Sequence, residues 1–131
     1  MSWQAALYVA IGGAIGSVLR YAVTILAAAR WGPAVPWGTL IVNVAGSFVI
    51  GVVAELATGR GAFLSPGARI FIATGLCGGF TTFSSYSLDA LNLAREGAAA
   101  PALLYVVGSV VLGLAAVYLG VAAARAVTLS A

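Results

Sequence analysis

The chain has 131 residues, of which 63% are hydrophobic and 7% are charged, and its mean hydropathy is +1.11. This composition excludes an ordinary soluble domain and is typical of an integral membrane protein. The chain has no His, one Cys and three acidic residues, and its six basic residues are scattered arginines, so an enzyme, a His- or Cys-based metal centre and a nucleic-acid partner are not expected.

The sequence predicts four membrane-spanning helices, which together form one transmembrane domain over residues 1–131. A spanning helix needs about 20 mostly apolar residues. Four apolar segments meet this requirement, at residues 5–29, 37–57, 69–93 and 102–127. Gly, Pro and Arg mark the turns between them, at residues 30–36, 59–67 and 95–101. The predicted fold class is therefore an all-α membrane protein.

The first predicted span carries two glycines four residues apart, Gly12 and Gly16, and the third span carries a similar pair, Gly75 and Gly79. Small residues at this spacing let two membrane helices approach closely, although a glycine-rich membrane chain also shows such pairs by composition alone. The start of the chain lacks a basic region and a cleavage signal, so the first segment is expected to be a span and not a signal peptide.

The second predicted span carries a polar stripe. Positions four residues apart lie along one face of an α-helix. The hydroxyls of this stripe could form hydrogen bonds between helices or line a polar pathway. A carboxamide near the middle of a membrane is costly to leave unpaired, so Asn43 favours the pathway. The stripe consists of Thr39, Asn43, Ser47, Gly51 and Glu55.

The third predicted span contains GGFTTFSSYS at residues 78–87. Its glycines lower helix propensity, and its Thr and Ser side chains can cap a helix that restarts. The stretch therefore predicts a helix that is broken mid-membrane, with freed backbone carbonyls that can hold a cation. After the break, Phe83 and Tyr86 share one helix face, and Ser85 and Asp89 share an adjoining face.

The fourth predicted span carries a weaker stripe of Tyr105, Ser109 and Gly113, again four residues apart. Each of these residues alone is compatible with ordinary packing. Together with the stripe of the second span, they would form two walls of a narrow polar path.

The arginines are nearly balanced between the two sides of the membrane. Arg30 and Arg95 follow the first and third spans, whereas Arg60, Arg69 and Arg125 lie on the opposite side. An excess of Arg in cytoplasmic loops normally sets the orientation of a membrane protein. Near balance predicts insertion in both orientations, and an antiparallel dual-topology homodimer is expected because two-fold dimers are the commonest oligomers.

Three stretches resemble the Fluc or CrcB family of fluoride ion channels. They are GGAIGSVLRY at 12–21, PWGTLIVNVAGSFVIG at 36–51 and GLCGGFTTFSSYS at 75–87, and the second and third are characteristic of that family. The resemblance covers essentially the whole chain. It implies a fluoride-selective channel of the bacterial inner membrane, built as an antiparallel dimer with two pathways, which passively exports fluoride and protects the cytoplasm.

The resemblance also implies roles for individual residues. Asn43 would coordinate fluoride, with Thr39 one turn before it on the same path. The ring edges of Phe83 and Tyr86 would line the path, and Tyr86 departs from the usual phenylalanine. The other pathway candidates are Ser85, Tyr105 and Ser109.

The same family carries a structural sodium ion at the dimer centre. Here the resemblance implies backbone carbonyls of Gly78 and Thr81 from both subunits as its ligands. A second hydroxyl that the family sometimes has on the fourth helix falls on Gly113, so that contact would be lost or replaced by water. Arg20 is expected to brace the helices by pairing with Asp89 or with carbonyls of the break, because buried charges are normally paired.

Two other functions are compatible with four short helices. A small proton-coupled multidrug exporter would need a carboxylate deep in the first span, where this chain has only Arg20. A non-transporting assembly subunit would leave the polar stripe of the second span unexplained. Fluoride conduction is therefore the favoured function, with the exporter as the alternative.

Overall fold

The computed structural model describes residues 2–58 and 63–129, and these are helical apart from short connections. Three of the described helices are long and apolar enough to cross a membrane, namely Trp3–Trp31, Trp37–Thr58 and Ala99–Leu129. The chain is a multi-pass, all-helical membrane protein, as predicted. Part of the predicted turn at 59–67, with Arg60, lies outside the described residues. The helices are α1 (Trp3–Trp31), α2 (Trp37–Thr58), α3 (Pro66–Arg69), the π-helix π1 (Ile70–Cys77), α4 (Gly78–Phe80), α5 (Phe83–Arg95) and α6 (Ala99–Leu129).

The third predicted span is divided at Thr81 and Thr82. Both residues have extended backbone, with φ and ψ of −86° and 161° at Thr81 and of −154° and 121° at Thr82. The Thr82 hydroxyl then caps α5 by accepting a hydrogen bond from the Ser85 backbone N–H at 3.1 Å. The predicted break within this span, and its capping by a hydroxyl, are confirmed.

The glycines of this span lie before the break in helical backbone, and two of them, Gly75 and Gly79, pack closely against α1, whereas Gly78 has open space around it. A Cβ atom on Gly75 would lie 3.0 Å from the Gly12 Cα atom, and one on Gly16 would clash with the Leu76 carbonyl. The two predicted glycine pairs therefore contact each other within one chain, where they join α1 to π1 and α4.

This packing predicts a difference in stability between two Gly→Ala variants. Gly16→Ala should lower the free energy of unfolding by about 1–3 kcal/mol, because the added methyl group overlaps a backbone carbonyl. Gly108→Ala, at a helical position with open space around the new methyl group, should raise it by about 0.5–1 kcal/mol. Thermal unfolding followed by circular dichroism in detergent measures both. Equal melting temperatures would contradict the packing of α1 on α4.

The polar stripe of α2 faces mostly α6. Gly51 contacts the Val117 carbonyl, and Arg125 Nε donates to Glu55 Oε1 at 3.0 Å. A Cβ atom on Gly113 would lie 3.5 Å from the Ser47 hydroxyl. The stripes predicted on the second and fourth spans therefore lie against each other.

Candidate functional site

A cavity of about 270 Å³ lies beside the break in the third span. Its wall combines side chains from α2, α5 and α6 with the two extended residues of the break. Four of the predicted pathway residues meet here although they come from three different spans. The lining residues are Asn43, Thr81, Thr82, Phe83, Tyr86, Ser109 and Val110.

Asn43 binds the backbone of the break through both ends of its carboxamide. Its Nδ2 group donates to the Thr82 carbonyl at 3.1 Å, and its Oδ1 atom accepts from the Thr82 backbone N–H at 2.8 Å. A carboxamide has two N–H donors, and these bonds use one of them. Asn43 therefore fixes the shape of the break and keeps one donor for another acceptor.

Thr82 is a site residue that was absent from the predicted set of pathway candidates. It caps α5, lines the cavity and is the residue whose peptide groups Asn43 holds. A Thr or Ser hydroxyl just before a helix is a capping signal, so the capping of α5 by Thr82 could be predicted from the sequence. The pairing of Thr82 with Asn43 could not be predicted.

Ser109 lines the same cavity from α6. Its Oγ atom is buried and has no hydrogen-bond partner among residues 2–58 and 63–129. Leaving a buried polar group without a partner costs about 1–3 kcal/mol. This hydroxyl therefore has an unused hydrogen bond beside the cavity.

Three aromatic rings form a row along the cavity wall and beyond it. The centroids of Phe83 and Tyr86 are 5.7 Å apart, and those of Tyr86 and Tyr105 are 5.5 Å apart. Phe83 is 80% exposed within the single chain. The Tyr86 hydroxyl donates to the Val106 carbonyl at 3.1 Å, so its proton is already engaged with the backbone of α6.

Thr39 and Tyr105 are not among the residues that line this cavity. Both are buried, at 6% and 7% exposure, and the Thr39 side chain interacts with the Tyr105 hydroxyl. That hydroxyl donates to Asp89 Oδ2 at 3.4 Å. These residues form a polar cluster between α2, α5 and α6, and the rings of Tyr86 and Tyr105 connect it to the cavity.

The other predicted site residues lie around the break. Ser85 Oγ accepts from the Thr82 hydroxyl at 3.1 Å, and the Thr81 hydroxyl donates to the Cys77 carbonyl at 2.9 Å. Arg20 Nε donates to the Gly79 carbonyl at 2.9 Å. The predicted partners of Arg20 were Asp89 and carbonyls of the break. The structure pairs Arg20 with a carbonyl of the broken span.

The break also frees two carbonyl groups. In a continuous helix the Gly78 carbonyl would accept from the Thr82 N–H, and the Thr81 carbonyl would accept from the Ser85 N–H. Here the Thr82 N–H donates to Asn43 and the Ser85 N–H donates to the Thr82 hydroxyl. Both N–H groups therefore bind other acceptors, and the Gly78 and Thr81 carbonyls lose their helical donors. Oxygen atoms are the ligands that hard cations prefer.

Comparison with known proteins identifies the family. The sequence profile described as CrcB-like protein, Camphor Resistance (CrcB), matches residues 7–121, which include every residue of the cavity wall. The chain belongs to the CrcB family.

Several relatives of this CrcB-family chain are named "Fluoride-specific ion channel FluC". One from Rhizobium etli is 55% identical over 121 residues, which cover 92% of this chain and 96% of the relative. One from Roseiflexus sp. is 55% identical over 117 residues, or 89% of this chain and 94% of the relative. One from Opitutus terrae is 54% identical over 115 residues, or 87% of each chain. The likeness therefore extends over nearly the full length of these CrcB-family proteins.

Proposed function

We propose that this chain is a fluoride channel, which lets fluoride leave the cell passively across the bacterial inner membrane and so lowers cytoplasmic fluoride. The observation that carries the proposal is the cavity, where the unpaired Ser109 hydroxyl and the second N–H of Asn43 are available as donors. Full-length relatives named as fluoride-specific channels support it.

The need for such donors follows from the size of the ion. Fluoride is small and tightly hydrated, and moving a unit charge from water into a low-dielectric interior costs tens of kcal/mol unless other groups replace the water. Asn43 and Ser109 would each donate a hydrogen bond to the ion. The ring edges of Phe83 and Tyr86 would add the positive side of their quadrupoles.

The path would continue from the cavity towards Thr39 and Tyr105. Tyr86 packs against Tyr105, so one row of rings joins the two places. The Thr39 hydroxyl would act as the next donor, and the Tyr105 ring would line the path beside it. A series of weak sites permits release as well as entry, which a conducting pathway requires.

The single chain leaves part of this site uncovered, which supports the proposed antiparallel homodimer with two fluoride pathways. Phe83 lines the cavity and yet is 80% exposed. Hydroxyls and backbone on the same broken span, at Thr74, Gly78, Ser84 and Ser87, are also exposed. Polar groups in contact with lipid are unfavourable, so a second copy would cover this face.

A sodium ion at the dimer centre fits the carbonyl groups that the break releases. The Gly78 and Thr81 carbonyls lack their helical donors, and Gly78 lies on the exposed face that the partner would cover. Equivalent carbonyls from two copies would supply a set of oxygen ligands without any charged side chain. The bound ion would place a fixed positive charge near both pathways.

A liposome experiment tests fluoride conduction against proton-coupled export. The purified protein should release fluoride from loaded liposomes much faster than chloride, at a rate that does not depend on a proton gradient across the membrane. A fluoride-selective electrode records the release. Release that requires the gradient would favour an exporter instead. The first span has no carboxylate for such an exporter, and two of the chain's three acids are already engaged, Glu55 with Arg125 and Asp89 with Tyr105.

Labelling of single cysteines tests the dual topology. In a Cys77→Ala background, Gln4→Cys places an exposed thiol near the start of the described chain, and Leu129→Cys places one at its end. An impermeant maleimide should label each variant from both sides of the membrane in about equal amounts, because the arginines give little preference for one orientation. Labelling from one side alone would contradict the antiparallel dimer.

A further inference from the structure

Tyr86 joins two walls of the cavity through its hydroxyl group. The ring belongs to α5, one turn after the break, and the hydroxyl donates to the Val106 carbonyl of α6 at 3.1 Å. A carbonyl has two lone pairs, so Val106 can accept this bond in addition to its helical one. The side chain therefore spans the gap between α5 and α6.

The bond ends on the same turn of α6 that lines the cavity. Ser109 and Val110 follow Val106 by three and four residues, so all three lie on one face of α6. Ser109 carries the unpaired hydroxyl, and Val110 is part of the cavity wall. The Tyr86–Val106 bond thus sets the separation between the Tyr86 ring and the Ser109 hydroxyl across the cavity.

The ring also has two aromatic neighbours. The centroid of Phe83 is 5.7 Å away and that of Tyr105 is 5.5 Å away, with interplanar angles of 38° and 39°. These neighbours restrict sideways movement of the ring, and the hydroxyl restricts movement along its long axis. A phenylalanine at this position would keep the neighbours and lose only the link to α6.

We propose that Tyr86 is a specificity-determining positioning residue, whose hydroxyl holds α5 and α6 at a separation that admits fluoride and excludes larger anions. This inference rests on the proposed conduction of fluoride. The hydroxyl acts through the α6 backbone and does not itself donate to the ion, because its single proton is already bonded to Val106. Loss of the link would let the cavity widen beside Ser109.

The test compares Tyr86→Phe with Tyr118→Phe. Tyr118 lies on α6, is 78% exposed and does not line the cavity, so its variant deletes the same atom at a neutral position. Fluoride and chloride efflux from liposomes are measured for both variants and the parent. In Tyr86→Phe, the ratio of fluoride to chloride flux should fall about 2- to 10-fold, the factor that corresponds to one neutral hydrogen bond. The fall in the ratio should come from a higher chloride flux, and Tyr118→Phe should match the parent in both fluxes.

Two results would overturn the inference. A loss of fluoride flux of about tenfold or more with unchanged chloride flux would mean that the hydroxyl donates to the ion. An unchanged flux ratio would mean that the link to Val106 has no part in selectivity. A parent protein that releases no fluoride, together with an inactive Tyr118→Phe, would instead refute the proposed function.

Discussion

Replacing Asn43 with aspartate should reduce fluoride flux to the background of protein-free liposomes. The carboxylate would lose the N–H that binds the Thr82 carbonyl and the second N–H that remains for the ion. It would also place a negative charge in the path of an anion, next to a carbonyl oxygen. A buried charge without a partner costs several kcal/mol, and each 1.4 kcal/mol is a factor of ten in an equilibrium. A fluoride electrode measures the flux.

Asn92→Asp is the matched control for this variant. Asn92 is exposed on α5 and lies outside the cavity wall, so the same change of amide to carboxylate should leave most of the fluoride flux intact. Gel filtration in detergent shows whether both proteins assemble as the parent does. Parental flux through Asn43→Asp would mean that Asn43 serves only to hold the break, and that the ion passes elsewhere.

Ser109→Ala should lower fluoride flux without lowering stability. An ion that loses a charge-assisted hydrogen bond loses about 1.5–3 kcal/mol, so fluoride flux should fall about 10- to 150-fold. The folded protein loses no bond among the described residues, because the Ser109 hydroxyl is unpaired there. Removal of an unpaired buried hydroxyl should therefore leave the melting temperature unchanged or raise it.

Ser17→Ala provides the comparison for Ser109→Ala. Ser17 is exposed on α1 and does not line the cavity, so its replacement should alter neither flux nor melting temperature by a large amount. A Ser109→Ala protein that melts at a clearly lower temperature and still conducts at the parental rate would show that the hydroxyl is a structural group. Efflux and thermal unfolding measured on the same preparations distinguish these results.

Much of this architecture could be predicted from the sequence because it depends on composition and short-range spacing. Long apolar runs identify spanning helices, since each must match the thickness of the membrane. The four-residue spacing placed Thr39, Asn43 and Ser47 on one face of α2, and that face lies against α6 and the break in the structure. The hydroxyls at residues 81–85 signalled a helix that restarts, and Thr82 caps it.

Spacing could not reveal how deep each polar residue lies or which atom it meets. Asn43 and Thr39 belong to one predicted stripe, yet Asn43 lines the cavity and Thr39 joins the Tyr105 cluster instead. Their surroundings differ because the break passes beside Asn43, whereas α6 covers Thr39. Helical periodicity defines a face, and only the packing of the neighbouring helices decides what that face contacts.

The sequence by itself thus determined the membrane class, the three long apolar spans, the break in the third predicted span and the family resemblance, because apolar length, turn residues and motifs are local properties of the chain. The tertiary structure alone decided the partners of the Tyr86 hydroxyl and the Thr82 N–H. Val106 supplies a backbone carbonyl to Tyr86, and every residue type carries the same carbonyl, so no side-chain pattern marks it. The unpaired state of Ser109 is likewise a property of its surroundings. Hydrogen bonds between distant segments form only when the helices pack. At this site they engage the Asn43 groups that hold the break, and they leave one Asn43 N–H and the Ser109 hydroxyl without a partner among the described residues.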